Sequence, residues 1–536
     1  MPLPDPALKL QIRRTFLVLG ALFGTCYAIL LPPMQAPDEF AHLDRAYGVA
    51  EGYCVAPALT PIPSSIKELT SEFPAKLETQ RRLGYGDVWE LMHTPLNDSQ
   101  NEPTNNHAAN MYSCFPYLPG AVGIEAGRIA GASPAAILYL TRFANLLAYL
   151  AVLYLALGLL PDFQLPLFCL ALTPMALNQA ASASWDGVAY STAFLLCAYI
   201  LKLAWDPAIN TLQPNHYLAL GAVIAAASLC KTDVWLAPLL VLVPASKFKG
   251  IRQKCLVLLG VAALALLVIA GWNFLNRANV ANWMAHIKEW RQINFSDNAA
   301  FIYQHPMLVL QAAGRTWAAR WTEYASEFVG KLGWLVVRLP EWAIWLYFLL
   351  LGCVSLTGMS EARLKVGHRL VCLGVVAVAT ASIFVGMWCA EVPPDYRDGV
   401  LHGVGHVPGV QGRYFIPFVL PLLLAFSITW LRVKWKWLLA AAMLVLITIN
   451  AVALQRIDRT YYLTGPATAY YENRLVKHIG FKGDDAKVYW IHGGQRQWIK
   501  HSSWITRHGY RWPDDVVAIS DAQLRSIPEG AAIDEE

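Results

Sequence analysis

Two acidic segments and two arginine-bearing segments carry the groups in this chain best suited to chemistry. The first reads Leu31-Pro-Pro-Met-Gln-Ala-Pro-Asp38-Glu39-Phe-Ala-His42-Leu-Asp44-Arg45. The prolines end one helix, and Asp38 stands where the N-cap of the next belongs. Steps of four and three then set Asp38, His42 and Arg45 near one face of that helix. The competing reading is a capping Asp with solvated neighbours. The second segment, Pro174-Met-Ala-Leu-Asn178-Gln179-Ala-Ala-Ser182-Ala-Ser184-Trp185-Asp186, brings another acid between two apolar runs, again with helix capping as the rival role. A carboxylate of this kind accepts a proton from an attacking hydroxyl.

Cations supply the complementary function. Arg413 lies in His406-Val-Pro-Gly-Val-Gln411-Gly412-Arg413-Tyr414-Phe-Ile-Pro417, a glycine-bearing turn that runs straight into an apolar stretch. A guanidinium there can hold phosphate oxygens in a bidentate grip, or snorkel to lipid headgroups. Arg142, near the outer end of its own apolar run, is placed to join it. Lys231 ends another run and needs an anion, either a phosphate or its neighbour Asp233. His402 and His406, with Glu391, Asp395 and Asp398 upstream, are candidate ligands for a divalent cation, but Gly403 and Gly405 argue against a helix presenting them together. The chain has no Gly-rich phosphate loop followed by Lys, no zinc-type Cys spacing and no nucleophile elbow.

These groups must be positioned by helices in lipid. Of 536 residues, 56% are hydrophobic and 15% charged, too little charge for a soluble surface of that size. Apolar runs of roughly 20 residues recur at about 11 places. They centre near Leu22, Ala148, Cys169, Leu195, Val223, Leu240, Leu264, Trp345, Val378, Leu422 and Leu446, with the pair at Val223 and Leu240 open to being one bent helix. The net charge of +5 is small and its cations sit in short clusters: Lys9/Arg13/Arg14, Lys202, Lys247/Lys249/Arg252/Lys254, Arg363/Lys365/Arg369 and Arg432/Lys434/Lys436. All fall on one side of the alternating map, which assigns that side to the cytoplasm and the C-terminal tail to the outside. This is a topology signal, and no nucleic-acid partner is expected.

The expected organisation is an N-terminal tail and first span (1–33), a large external loop (34–133), further spans (134–272), a second external loop (273–335), the last spans with an external loop at 390–412 (336–454), and an external β-containing tail (455–536). Cys54 and Cys114 share the first external loop, where an oxidising compartment permits a disulfide. In the tail, Val488-Tyr-Trp-Ile-His492-Gly493-Gly494-Gln-Arg-Gln-Trp reads as a hairpin.

Taken in order, Pro37-Asp38-Glu39 with His42 and Gly52, Arg142 with Asn145, Pro174 with Gln179, Ser182-x-Ser184-x-Asp186 in loose form, and Gln411-Gly412-Arg413-Tyr414-Phe415-x-Pro417 resemble the bacterial membrane family known as domain of unknown function 2142. The similarity runs from about Leu17 to Leu454. That resemblance implies a GT-C-like, all-α polytopic fold and a glycosyltransferase of the bacterial inner membrane. Its donor would be a sugar on polyprenyl phosphate and its acceptor a cell-envelope glycan or lipid; inversion is expected because the sequence places no second carboxylate to form a covalent intermediate. The resemblance assigns catalysis to Asp38, Glu39 and Asp186, and substrate or phosphate binding to Arg413, Lys231, Arg142, His42 and Gln411. The rival classes are a flippase for lipid-linked saccharide and a polysaccharide polymerase or ligase using a polyprenyl diphosphate donor. Paired halves with interrupted helices, a common mark of transporters, are not evident in the sequence.

Overall fold

The computed structural model describes residues 6–72, 82–97, 101–230, 233–356, 364–403, 405–427, 435–463, 465–478 and 487–534. Lys231 therefore lies outside the described residues. Helices dominate, and six are long and apolar enough to cross a membrane: Ala7–Leu30, Pro134–Leu159, Asp186–Trp205, Ile251–Leu275, Val366–Glu391 and Trp435–Tyr461.

The other five expected centres form shorter elements, and proline explains most of the interruptions. Cys169 lies in the eight-residue helix Gln164–Ala171, which stops before Pro174 opens Pro174–Ala180. Leu240 lies in the 3-10 stretch Asp233–Leu242, which contains Pro238. Leu422 lies in Val419–Phe426, entered through the 3-10 turn Gly412–Phe418 with Pro417 inside it. Proline removes one ladder donor and crowds the preceding turn, so an apolar run need not be one helix. Val223 and Trp345 sit in the 16-residue helices Pro214–Leu229 and Glu341–Leu356.

Asp186–Trp205 is almost wholly buried, whereas Ile251–Leu275 has a single buried residue, Ala265, so the first lies inside the bundle and the second at its lipid-facing periphery. Polar side chains tie the bundle internally. The Tyr27 hydroxyl donates to Asn450 Oδ1 at 2.9 Å, and Asn450 Nδ2 donates to the Leu172 carbonyl at 3.0 Å, joining the first and last spans. Such groups need partners because lipid offers none.

Outside the spans, the disulfide Cys54–Cys114 closes a separation of 60 residues. Arg45 Nη1 donates to the Tyr53 carbonyl at 2.9 Å and its Nη2 reaches the Cys54 carbonyl, so the loop is fixed to the helix Glu39–Ala50. A short antiparallel ribbon, Thr60–Pro63 with Asn101–Thr104, lies within it. Loop-closure entropy for a separation of 60 residues amounts to about 4 kcal/mol. Replacing Cys54 by Ser is accordingly expected to make this loop the first site of limited proteolysis; a digestion pattern identical to that of the oxidised wild type would count against that.

The tail folds as a four-stranded sheet ordered Gln495–Ile499, Val488–His492, Leu475–His478, Val516–Ile519, with the last pair parallel and the others antiparallel. The expected hairpin is present. Its turn needs positive φ at both central residues, and Gly493 and Gly494 have φ of 59° and 71°. Asp87 fastens the tail to the loop that carries the disulfide, accepting from Ser520 Oγ and Gln523 Nε2, each at 2.8 Å.

Candidate functional site

Three chain segments that are distant in sequence meet at one cavity of about 760 Å³, whose lining includes Asp38, His42, Asp186 and Arg413. Asp38 stands at the N-cap position of the helix Glu39–Ala50, as expected. Its backbone is left-handed, φ 57° and ψ 18°, and its side chain makes no capping hydrogen bond. That corrects only the expected side-chain cap, because the Asp38 carbonyl still accepts the His42 N–H at 3.1 Å. An aspartate tolerates this conformation better than most residues, and the consequence is an exposed carboxylate turned to the cavity instead of one folded back on the helix.

Glu39 does the opposite. It is fully buried and paired with the equally buried Arg142, Nε to Oε1 at 2.8 Å and Nη2 to Oε2 at 2.7 Å. The remaining Arg142 donors reach the carbonyls of Ala28 (2.8 Å), Leu31 (2.7 Å) and Pro32 (2.9 Å). All five guanidinium donors are thus used inside the protein. The roles expected of Glu39 in catalysis and Arg142 in phosphate binding are corrected accordingly. The pair is a structural pin, and Arg142 also satisfies the Ala28 and Leu31 carbonyls at the end of the first span and shares the Pro32 carbonyl with the Gln35 N–H.

The same pin sets the second acid. Glu39 Oε1 accepts the Ala183 N–H at 3.0 Å, and Asn145 Nδ2 donates to the Ser182 carbonyl at 2.8 Å. Ser184 Oγ then accepts the Asp186 N–H at 3.2 Å, so Ser184 serves the start of Asp186–Trp205 and leaves the Asp186 carboxylate to the cavity. Gly187 is required here because a Cβ would lie 2.6 Å from the Ala180 backbone.

Arg413 is only 4% exposed and still lines the cavity. Its Nη1 is 3.3 Å from Asp186 Oδ2, close enough for an ion pair but off line for a hydrogen bond. Its Nε and Nη1 have no hydrogen-bond partner among the described residues. Asp38 also acts on it electrostatically. A buried guanidinium with unused donors, 3.3 Å from one carboxylate and in the field of another, has the chemistry to hold an anion's oxygens. Residues 21–423, which contain this whole constellation, match the family described as predicted membrane protein (DUF2142). The chain belongs to the DUF2142 family. No curated protein and no solved structure matches it.

The rest of the expected set is divided in this DUF2142 protein. His42 lines the cavity with Nδ1 at 2.9 Å from the Tyr117 hydroxyl. Gln411 is not part of the lining, and its Oε1 is buried without a hydrogen-bond partner among the described residues. His402 and His406 are exposed and away from the cavity. Among the described residues no group of three or more His, Cys, Asp or Glu side chains is arranged to hold a metal ion.

Several lining residues of the DUF2142 site escaped the sequence reading. Tyr112 and Trp185 stack with centroids 4.8 Å apart, and Trp283, His286 and Trp290 come from the helix Arg277–Arg291. The signal available for these three was their spacing of three and four, which sets them on one helical face. Ile383, Gly386, Met387 and Ala390 of Val366–Glu391 form a more apolar wall.

Proposed function

We propose that this protein is a GT-C-type glycosyltransferase of the bacterial inner membrane that moves a sugar from polyprenyl phosphate to a cell-envelope glycan or lipid on the extracytoplasmic side. The observation that carries the reading is Arg413, buried, with unused donors, in one cavity with Asp38 and Asp186. In this reading the five shorter elements complete about eleven crossings of roughly 20 residues or less. The cation clusters face the cytoplasm and the tail faces outward.

The lipid phosphate is already a leaving group. Asp38 takes the acceptor hydroxyl's proton, the freed oxygen bonds to the anomeric carbon, and the carbon–oxygen bond to phosphate breaks with inversion. The departing phosphate carries the bonding electron pair, and Arg413 neutralises that charge. Asp186 holds the guanidinium in register, 3.3 Å away. The stacked Tyr112–Trp185 pair and Trp290 offer ring faces to sugars, and the wall of Val366–Glu391 accepts isoprenoid next to the lipid.

Arg413→Ala is expected to weaken binding of a polyprenyl-phosphate sugar by about 10- to 100-fold, the range for losing charge-assisted hydrogen bonds. Equal affinity of wild type and variant would overturn the phosphate assignment. Movement of a labelled lipid-linked sugar across sealed vesicles without transfer would assign the same cavity to a flippase.

A further inference from the structure

Glu327 is a buried carboxylate outside the cavity lining, on the helix Pro306–Val329. Its Oε2 accepts the Gly412 N–H at 2.7 Å. Gly412 is the first residue of the 3-10 turn Gly412–Phe418, so its N–H has no partner within that turn and is buried with it. An acid is also the favoured charge beside the N-terminal N–H groups of a helical segment. The other oxygen of Glu327 lies 3.6 Å from Arg320 and 3.9 Å from Lys331, which offset its charge. Burial pushes this carboxyl up, while the Gly412 N–H, Lys331 and Arg320 draw it back down.

The contact is also steric. A Cβ on Gly412 would stand 2.0 Å from the Tyr324 carbonyl oxygen, so the turn lies directly against the backbone of Pro306–Val329. On its other side, the Tyr190 hydroxyl donates to the Arg413 carbonyl at 3.3 Å. The Gln411–Gly412 peptide is therefore held by Glu327 and the Arg413–Tyr414 peptide by Tyr190, which fixes the backbone on both sides of Arg413.

We propose that Glu327 is a positioning residue for Arg413, its carboxylate fixing the Gln411-Gly412-Arg413 turn so that the unused guanidinium donors stay directed at a bound phosphate. This rests on the phosphate-binding reading of Arg413. Positioning of this kind matters because a guanidinium displaced by about an ångström loses its fork geometry toward two oxygens.

The test uses the full chain in detergent and a short-chain polyprenyl phosphate as probe, with affinity measured on folded, monodisperse protein for Glu327→Leu, Glu327→Asp, Glu327→Gln and Arg413→Ala. Glu327→Leu removes the acceptor, and Glu327→Asp withdraws it by one methylene; each is expected to weaken the probe about tenfold. Glu327→Gln keeps an oxygen for the Gly412 N–H and is expected to bind within about threefold of wild type. The aspartate variant serves where the leucine variant fails to fold. Wild-type affinity in the aspartate or leucine variant overturns the proposal, as does a glutamine variant no better than leucine. Wild-type affinity in Arg413→Ala overturns the phosphate reading itself; weakening there with an unaffected Glu327→Asp removes Glu327 alone.

Discussion

Replacing Asp38 by asparagine is expected to lower sugar transfer by about 10²- to 10⁴-fold, the usual contribution of a positioned general base. The substitution is structurally clean for two reasons. Asp38 has φ 57°, a left-handed conformation that asparagine adopts as readily as aspartate, and its side chain makes no capping hydrogen bond to be lost. The thermal midpoint should therefore stay within the effect of a surface change, about 0.5 kcal/mol. Binding of the lipid-phosphate donor should also persist, since Arg413 is untouched. Undiminished turnover in the variant would remove Asp38 from the chemistry, and a large fall in thermal midpoint would mean the carboxylate has a structural task that the geometry does not reveal.

The second large effect is on stability. Arg142→Met is expected to destabilise the protein by about 3–5 kcal/mol, the range for removing one partner of a buried ion pair. It strands the Glu39 carboxylate, which is fully buried, and unpairs the carbonyls of Ala28 and Leu31. Removing both charges, Glu39→Leu with Arg142→Met, is expected to be milder than Arg142→Met alone, because no uncompensated charge remains in the bundle. Thermal unfolding in detergent distinguishes these cases. An Arg142→Met protein as stable as wild type but unable to bind donor would return Arg142 to the substrate site. Arg413→Ala should show the reverse pattern, with donor binding weakened about 10- to 100-fold and a smaller change in thermal midpoint than Arg142→Met.

The contrast between Arg142 and Arg413 marks where sequence reasoning stops. Both are arginines beside apolar runs, and hydropathy treats them alike. What separates them is the inventory of neighbours. Arg142 meets a carboxylate and three carbonyls contributed by the segment Ala28–Glu39, whereas Arg413 meets the off-line Asp186 carboxylate and the Tyr414 ring at the edge of the cavity. Asp38 and Glu39 divide in the same way. They are adjacent, and the left-handed backbone at Asp38 sends one side chain into the cavity while the other goes into the core.

The sequence by itself determined that the chain is a helical membrane protein, that its cations cluster between apolar runs, and that its family match, residues 21–423, spans Asp38, Asp186 and Arg413. Those properties depend on composition and local order, which lipid selects directly. Continuity of the helices was not determined, because Pro174, Pro238 and Pro417 interrupt runs that hydropathy reads as unbroken. Nor was the aromatic lining from Trp283, His286 and Trp290. Only the tertiary structure decided which charged groups are consumed in holding the bundle together and which are left facing the cavity. The physical reason is that a buried charge is defined by the partners packing brings to it, and those partners come from parts of the chain that no local pattern connects.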